Sequence, residues 1–120
     1  MDIVDEIKRL QERYRRFCAD RDWEQFHTPK NLAMAMAAEV GEVLELLQWL
    51  TPEESERIRD DPRLNERLGE ELADVQLYLW RLAEMSGIDL NVAIDRKLSL
   101  NEQKYPVEQA RGRATRYDGL

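Results

Sequence analysis

A single cysteine, Cys18, in 120 residues excludes an intrachain disulfide and any Cys-x-x-Cys metal or redox motif. A single histidine, His27, excludes the paired Glu-x-x-His ligands of di-iron bundles. Five glycines and four prolines leave no low-complexity segment and no domain linker. Positive charge is short as well. Eighteen lysines and arginines stand against 25 acids, a formal net charge of −7, which argues against a basic surface for a nucleic acid polymer. No apolar run approaches the roughly 20 residues that span a bilayer, and nothing near the N-terminus resembles a signal peptide, so no membrane partner and a cytoplasmic location are expected.

What is present is helical periodicity. Ile3, Ile7, Leu10, Tyr14 and Phe17 predict a first helix from about Asp2 to Asp20. An aromatic connection, Trp23-Glu24-Gln25-Phe26-His27, leads to Thr28-Pro29, a capping threonine with proline at the first helical position, opening a helix to about Leu50. Thr51-Pro52-Glu53-Glu54 reads as a capping box for a short helix ending near Asp60. Asp61-Pro62 opens a long helix closed by Gly87, and Asp89 caps another that Pro106 terminates. The expected fold class is all-α: a four-helix-bundle-type core with one short extra helix. One domain over 1–106 and an irregular tail over 107–120 are expected.

Two carboxylate pairs carry the chemistry. Glu39-x-x-Glu42 and Glu71-x-x-Asp74 each project two oxygen-bearing groups from one side of a helix. Glu39 sits inside the apolar stripe Leu32, Met36, Val43, Leu46 and Leu50, where a carboxylate costs several kcal/mol unless it is paired or metal-bound. Glu71, Asp74 and Tyr78 flank the stripe Leu64, Leu68, Leu72, Val75, Leu79 and Leu82. Two readings stand on these residues: acidic surface, or a Mg²⁺ site gripping a polyphosphate. On the last long helix Leu90, Ile94, Lys97, Asn101 and Lys104 follow one face that turns from apolar to cationic, which suits phosphate oxygens or merely offsets surface acids. Trp23, Phe26, Trp49 and Tyr78 offer flat surfaces for a base, or ordinary packing. His27 is a ligand or a structural hydrogen-bonder. Met34, Ala37, Val40 and Leu44 lie off the stripe of the second helix, and Leu77 and Trp80 off that of the long one. Helices apolar nearly all round predict a homo-oligomer, with a dimer as the minimum.

Three ordered segments resemble a known family. Asp22-Trp23-Glu24-Gln25-Phe26-His27 with Pro29-Lys30-Asn31-Leu32 is one. Glu39-Val40-Gly41-Glu42 through Gln48-Trp49 with Glu70-Glu71-Leu72-Ala73-Asp74-Val75 is the second. Lys97-x-x-x-Asn101-x-x-Lys104-Tyr105-Pro106-Val107 with Arg111-Gly112 is the third. The chain resembles the all-α nucleoside triphosphate pyrophosphohydrolases of the MazG-like superfamily, in its dCTP pyrophosphatase branch. The resemblance implies Mg²⁺ bound by Glu39, Glu42, Glu71 and Asp74, which are also the catalytic residues. It implies triphosphate contacts from Lys97, Asn101 and Tyr105. It implies a base and sugar pocket lined by Trp23, Trp49 and Tyr78, with His27 near it. A nucleoside triphosphate substrate and a homodimer or dimer-of-dimers tetramer follow in the same way. Tyr14 stands where the branch carries a nucleotide-pocket histidine, which bears on base preference. The same chemistry on dUTP or another non-standard triphosphate, and a non-catalytic acidic adaptor, are the alternatives.

Overall fold

The computed structural model describes residues 2–120, so Met1 of the expected 1–106 domain lies outside it. Regular structure among the described residues is entirely helical: α1 Ile3–Asp20, α2 Pro29–Leu47, α3 Pro52–Ser55, α4 Pro62–Met85, α5 Leu90–Lys104 and α6 Val107–Ala110. Single 3₁₀ turns occupy Glu24–Phe26, Ile58–Asp60 and Tyr117–Gly119. The all-α expectation holds.

Side-chain caps set the starts of the five helices α1 to α5. Asp2 accepts from the Asp5 N–H at 2.8 Å and Thr28 from that of Asn31 at 3.1 Å. Asp61 accepts from Leu64 at 3.1 Å and Asp89 from Val92 at 3.2 Å. Thr51 and Glu54 form the reciprocal capping box, at 3.1 and 3.0 Å. Gly87 closes α4 at φ +67°, a backbone conformation costly for other residues. One end differs from expectation: α2 stops at Leu47, and Gln48–Leu50 form a turn closed by the Leu50 N–H on the Leu47 carbonyl. Thr51, before Pro52, is extended at ψ 160°, which sets the outer limit of the helix at Leu50; the Gln48–Leu50 turn lies inside that limit. The expected short helix to Asp60 divides into α3 and a 3₁₀ turn.

The chain forms two compact units, Met1–Gly87 and Ile88–Leu120. In the first, α2 and α4 pack along each other. They run antiparallel: His27, just before α2, bonds Arg81 late in α4, while Glu39 halfway along α2 meets Glu71 early in α4. Arg15 of α1 bonds Glu84 of α4 at 2.9 Å. An apolar groove of about 400 Å³ lies between those helices, lined by Leu10, Phe17, Leu77 and Trp80 among others.

Among the described residues the buried apolar side chains are Cys18, Leu32 and Ala83. Leu72, expected in the stripe of α4, is 52% exposed. α2 covers the side of α4 that carries Glu71, and Leu72 projects about 100° away from it. In the second unit, α5 ends at Lys104 with Tyr105 as its cap before Pro106, and the Tyr105 and Tyr117 rings meet edge to face at 6.1 Å. The segment expected to be irregular after Pro106 carries the single turn α6 and the last 3₁₀ turn. No helix among the described residues is long and apolar enough to cross a membrane.

Candidate functional site

The antiparallel pairing of α2 and α4 brings three of the four carboxylates together. Glu39, Glu42 and Glu71 each place one oxygen within 4.8 Å of the others. Glu39 Oε2 and Glu71 Oε2 are shielded from solvent, and neither has a hydrogen-bond donor. Facing acceptors repel unless something positive lies between them, and the two candidates are a proton and a cation. With a proton, Glu71 is pushed up to about 7, first by sharing it with Glu42, then by burial and by Glu39. Glu39 is also raised, chiefly by burial, then by Glu42. An ordinary acidic helix face would leave its oxygens to water. Here two are withheld from water with no donor in reach, and the all-oxygen donor set fits a hard divalent cation.

Asp74 stands one turn beyond Glu71, outside the three-oxygen cluster, close enough for its charge to raise Glu39 and Tyr78. Tyr78 is half-buried, and its phenol is raised by burial, then by Glu39 and Asp74. It therefore borders the cluster. Trp23 sits after α1, edge-on to Phe17 at 5.5 Å, and remains 42% exposed. Phe17 stacks on Tyr14 at 6.2 Å, with the Arg21 guanidinium 3.8 Å from the Phe17 ring centre. Trp49 lies in the turn after α2 at 86% exposure. Lys97 and Asn101 share a face of α5 in the second unit, with Tyr105 as its C-terminal cap.

A second polar cluster was not singled out from the sequence. Arg81 is only 3% exposed. Its Nε donates to His27 Nδ1 at 3.1 Å and its Nη1 to Glu84 Oε1 at 3.2 Å. Glu84 Oε2 accepts from Arg15 Nε at 2.9 Å, and Glu24 stands 3.9 Å from Arg81 Nη2. His27 is lowered by burial first and by Arg81 second, against a weaker upward pull from Glu24. Tyr14 and Cys18 adjoin this cluster, and burial raises both. A signal was present: Glu71, Asp74, Tyr78 and Arg81 continue one flank of α4 at spacings of three, four and three.

Comparison with known proteins bears on family and fold. Residues 34–120 match the model of the MazG-like family. The chain is 43% identical over 117 residues to dCTP pyrophosphatase 1 of Bos taurus, covering 98% of this chain and 68% of the relative. It is 42% identical to the Homo sapiens dCTP pyrophosphatase 1, covering 98% and 67%. A crystal structure of a pyrophosphatase from Archaeoglobus fulgidus superposes with a TM-score of 0.75 at 38% identity, covering 84% of this chain and 93% of that one.

Proposed function

The chain belongs to the MazG-like nucleoside triphosphate pyrophosphohydrolases, and on that premise we propose that it hydrolyses dCTP or a C5-modified relative, in a Mg²⁺-dependent reaction, to the monophosphate and pyrophosphate. The observation that carries the metal half is the pair of solvent-shielded, donorless oxygens, Glu39 Oε2 and Glu71 Oε2. With Glu42 and Asp74 they would hold Mg²⁺, which supplies Lewis acidity toward phosphate oxygens and toward water. Water attacks the α-phosphorus and the bond to the β-phosphate bridging oxygen breaks. Glu39 or Glu42 accepts the proton of the attacking water. Tyr78, beside the acids, borders the base and sugar pocket, to which Trp23, Trp49 and His27 are assigned. Lys97, Asn101 and Tyr105 are proposed as triphosphate ligands, an assignment that rests on the C-terminal sequence signature.

A homo-oligomer is part of the proposal. Met34 at 63%, Leu44 at 59% and Val40 at 44% exposure leave much of α2 uncovered within one chain. Light scattering after size exclusion at micromolar protein is expected to give a dimer or tetramer; a monomer overturns this part. The activity is tested by pyrophosphate release from canonical and C5-modified dNTPs and NTPs, with and without Mg²⁺. Mg²⁺-dependent release, highest with dCTP or its C5-modified forms, is expected. A preference for dUTP overturns the base assignment, and release at the background rate from every nucleotide overturns the catalytic reading.

A further inference from the structure

We infer that Arg81 is a positioning residue that fixes His27 as the neutral imidazole with its hydrogen on Nε2, so that His27 offers the nucleotide one N–H donor aimed at a neutral acceptor such as a base carbonyl. The inference deepens the proposed function, because it rests on the assignment of His27 to the nucleotide pocket.

The tautomer follows from the chemistry of the donor. An arginine Nε always carries hydrogen and has no lone pair to offer. At 3.1 Å from Arg81 Nε, His27 Nδ1 must therefore be the acceptor. A neutral ring accepting at Nδ1 carries its hydrogen on Nε2. Protonating Nδ1 would break this bond and set two cations against each other in a half-buried place.

The guanidinium is itself held from several sides. Glu84 takes its Nη1, Arg15 of α1 holds the other oxygen of Glu84, and Glu24 stands by Nη2. The backbone fixes the other partner, with the His27 N–H on the Glu24 carbonyl at 3.1 Å. The charged and titratable groups around the imidazole are thus Arg81 and Glu84 from α4, Glu24 from the 3₁₀ turn, and Arg15, Tyr14 and Cys18 from α1. Arg81 outweighs the carboxylates because it is the one among them hydrogen-bonded to the ring.

A line of side chains leads from here toward the acid cluster. Tyr14 feels the charge of both Arg81 and Tyr78, and Tyr78 feels Glu39 and Asp74. A neutral donor along that line suits the uncharged edge of a base. A protonated histidine would instead compete for phosphate.

The chain has one histidine, so long-range ¹H–¹⁵N correlation of the labelled full-length protein reports on His27 alone. At pH 7 we expect a pyrrole-type Nε2 and a pyridine-type Nδ1, with titration below the ordinary histidine midpoint. In R81M the two tautomers should mix, the midpoint should return toward about 6.5, and KM should rise about tenfold with kcat retained, the loss of one oriented hydrogen bond. R81K, which keeps a charge without the planar fork, should recover only part of the tautomer bias. A protonated Nδ1 in the unaltered protein overturns the inference, whether or not R81M folds. So does a folded R81M with an unchanged tautomer and midpoint. Unchanged kcat/KM in H27A removes His27 from the nucleotide pocket, overturning the functional half and leaving the tautomer standing. Absence of Mg²⁺-dependent turnover in the unaltered protein fails the proposed function while the spectrum still reads the His27–Arg81 pair.

Discussion

The acid cluster, between α2 and α4, and the arginine cluster, between α4, α1 and the connection before α2, lie about three turns apart on α4 and satisfy their polar atoms in opposite ways. At Glu39 and Glu71, like charges converge and two shielded oxygens have no donor. At Arg81, one shielded cation meets a histidine nitrogen and a carboxylate that a second arginine holds in turn. A folded chain tolerates the second arrangement for its own stability, since each buried donor gains a partner. The first costs stability unless a proton or cation enters, which is the ground for proposing it as the metal site.

The sharpest break of this contrast is E71A. Removing one of the donorless oxygens takes away a proposed metal ligand and relieves repulsion at once. Mg²⁺-dependent pyrophosphate release should fall on the order of 10³-fold, matching several kcal/mol of lost charge stabilisation. The metal-free variant should nonetheless unfold no earlier than the unaltered protein at pH 8. D74A should lose activity similarly if Asp74 completes the set. Retained turnover in either variant, measured at saturating Mg²⁺, would remove that residue from the metal site.

R81M is expected to do the reverse. It leaves Glu84 and His27 without their shared partner, at a cost of about 2 kcal/mol in urea unfolding, while Mg²⁺ binding by the distant acids persists. Equal stability of R81M and the unaltered protein would show that the arginine cluster is replaceable packing.

The two clusters also differ in how far the sequence disclosed them. The acids were legible because i, i+3 spacing fixes a shared helix face, and because Glu39 interrupts an apolar stripe. The caps at Thr28, Thr51, Asp61 and Asp89 were legible for the same local reason: each bonds a backbone group three residues on. Arg81 was not read, although it lies on the flank of Tyr78, because its partner His27 is 54 residues away and an arginine on a helix is ordinarily solvated. The exposure of Leu72 and the early end of α2 before Trp49 escaped as well. The first depends on which side of α4 the partner helix covers; for the second, the extended Thr51 before Pro52 limits the helix only to Leu50. Local rules give faces and ends; pairing across the chain decides which face is shielded.

The smallest expected effect is the most diagnostic of the acid cluster, because it reads the proton and the metal as rivals for one position. Glu71 is raised to about 7 when metal-free, by the proton it shares with Glu42 and by burial. Mg²⁺ must displace that proton, so its apparent affinity should rise about tenfold per pH unit below about 7 and level off above it. Stability runs the other way. A carboxyl whose folded value lies above its unfolded one contributes stability that is complete below the unfolded value, near 4.5, and is lost as pH rises through the folded one. The metal-free protein should therefore lose thermal stability between about pH 4.5 and 7, and saturating Mg²⁺ should restore it at pH 8. E71Q, which cannot ionise, should flatten both curves: Mg²⁺ binding weak and nearly independent of pH, metal-free stability level across the same range. R81M should leave both curves in place, because the arginine cluster holds no proton that Mg²⁺ has to displace. If instead E71Q kept the pH dependence of the unaltered protein, the proton would belong to another group. The orphaned oxygens of Glu39 and Glu71 would then be no more than two acids facing each other across α2 and α4.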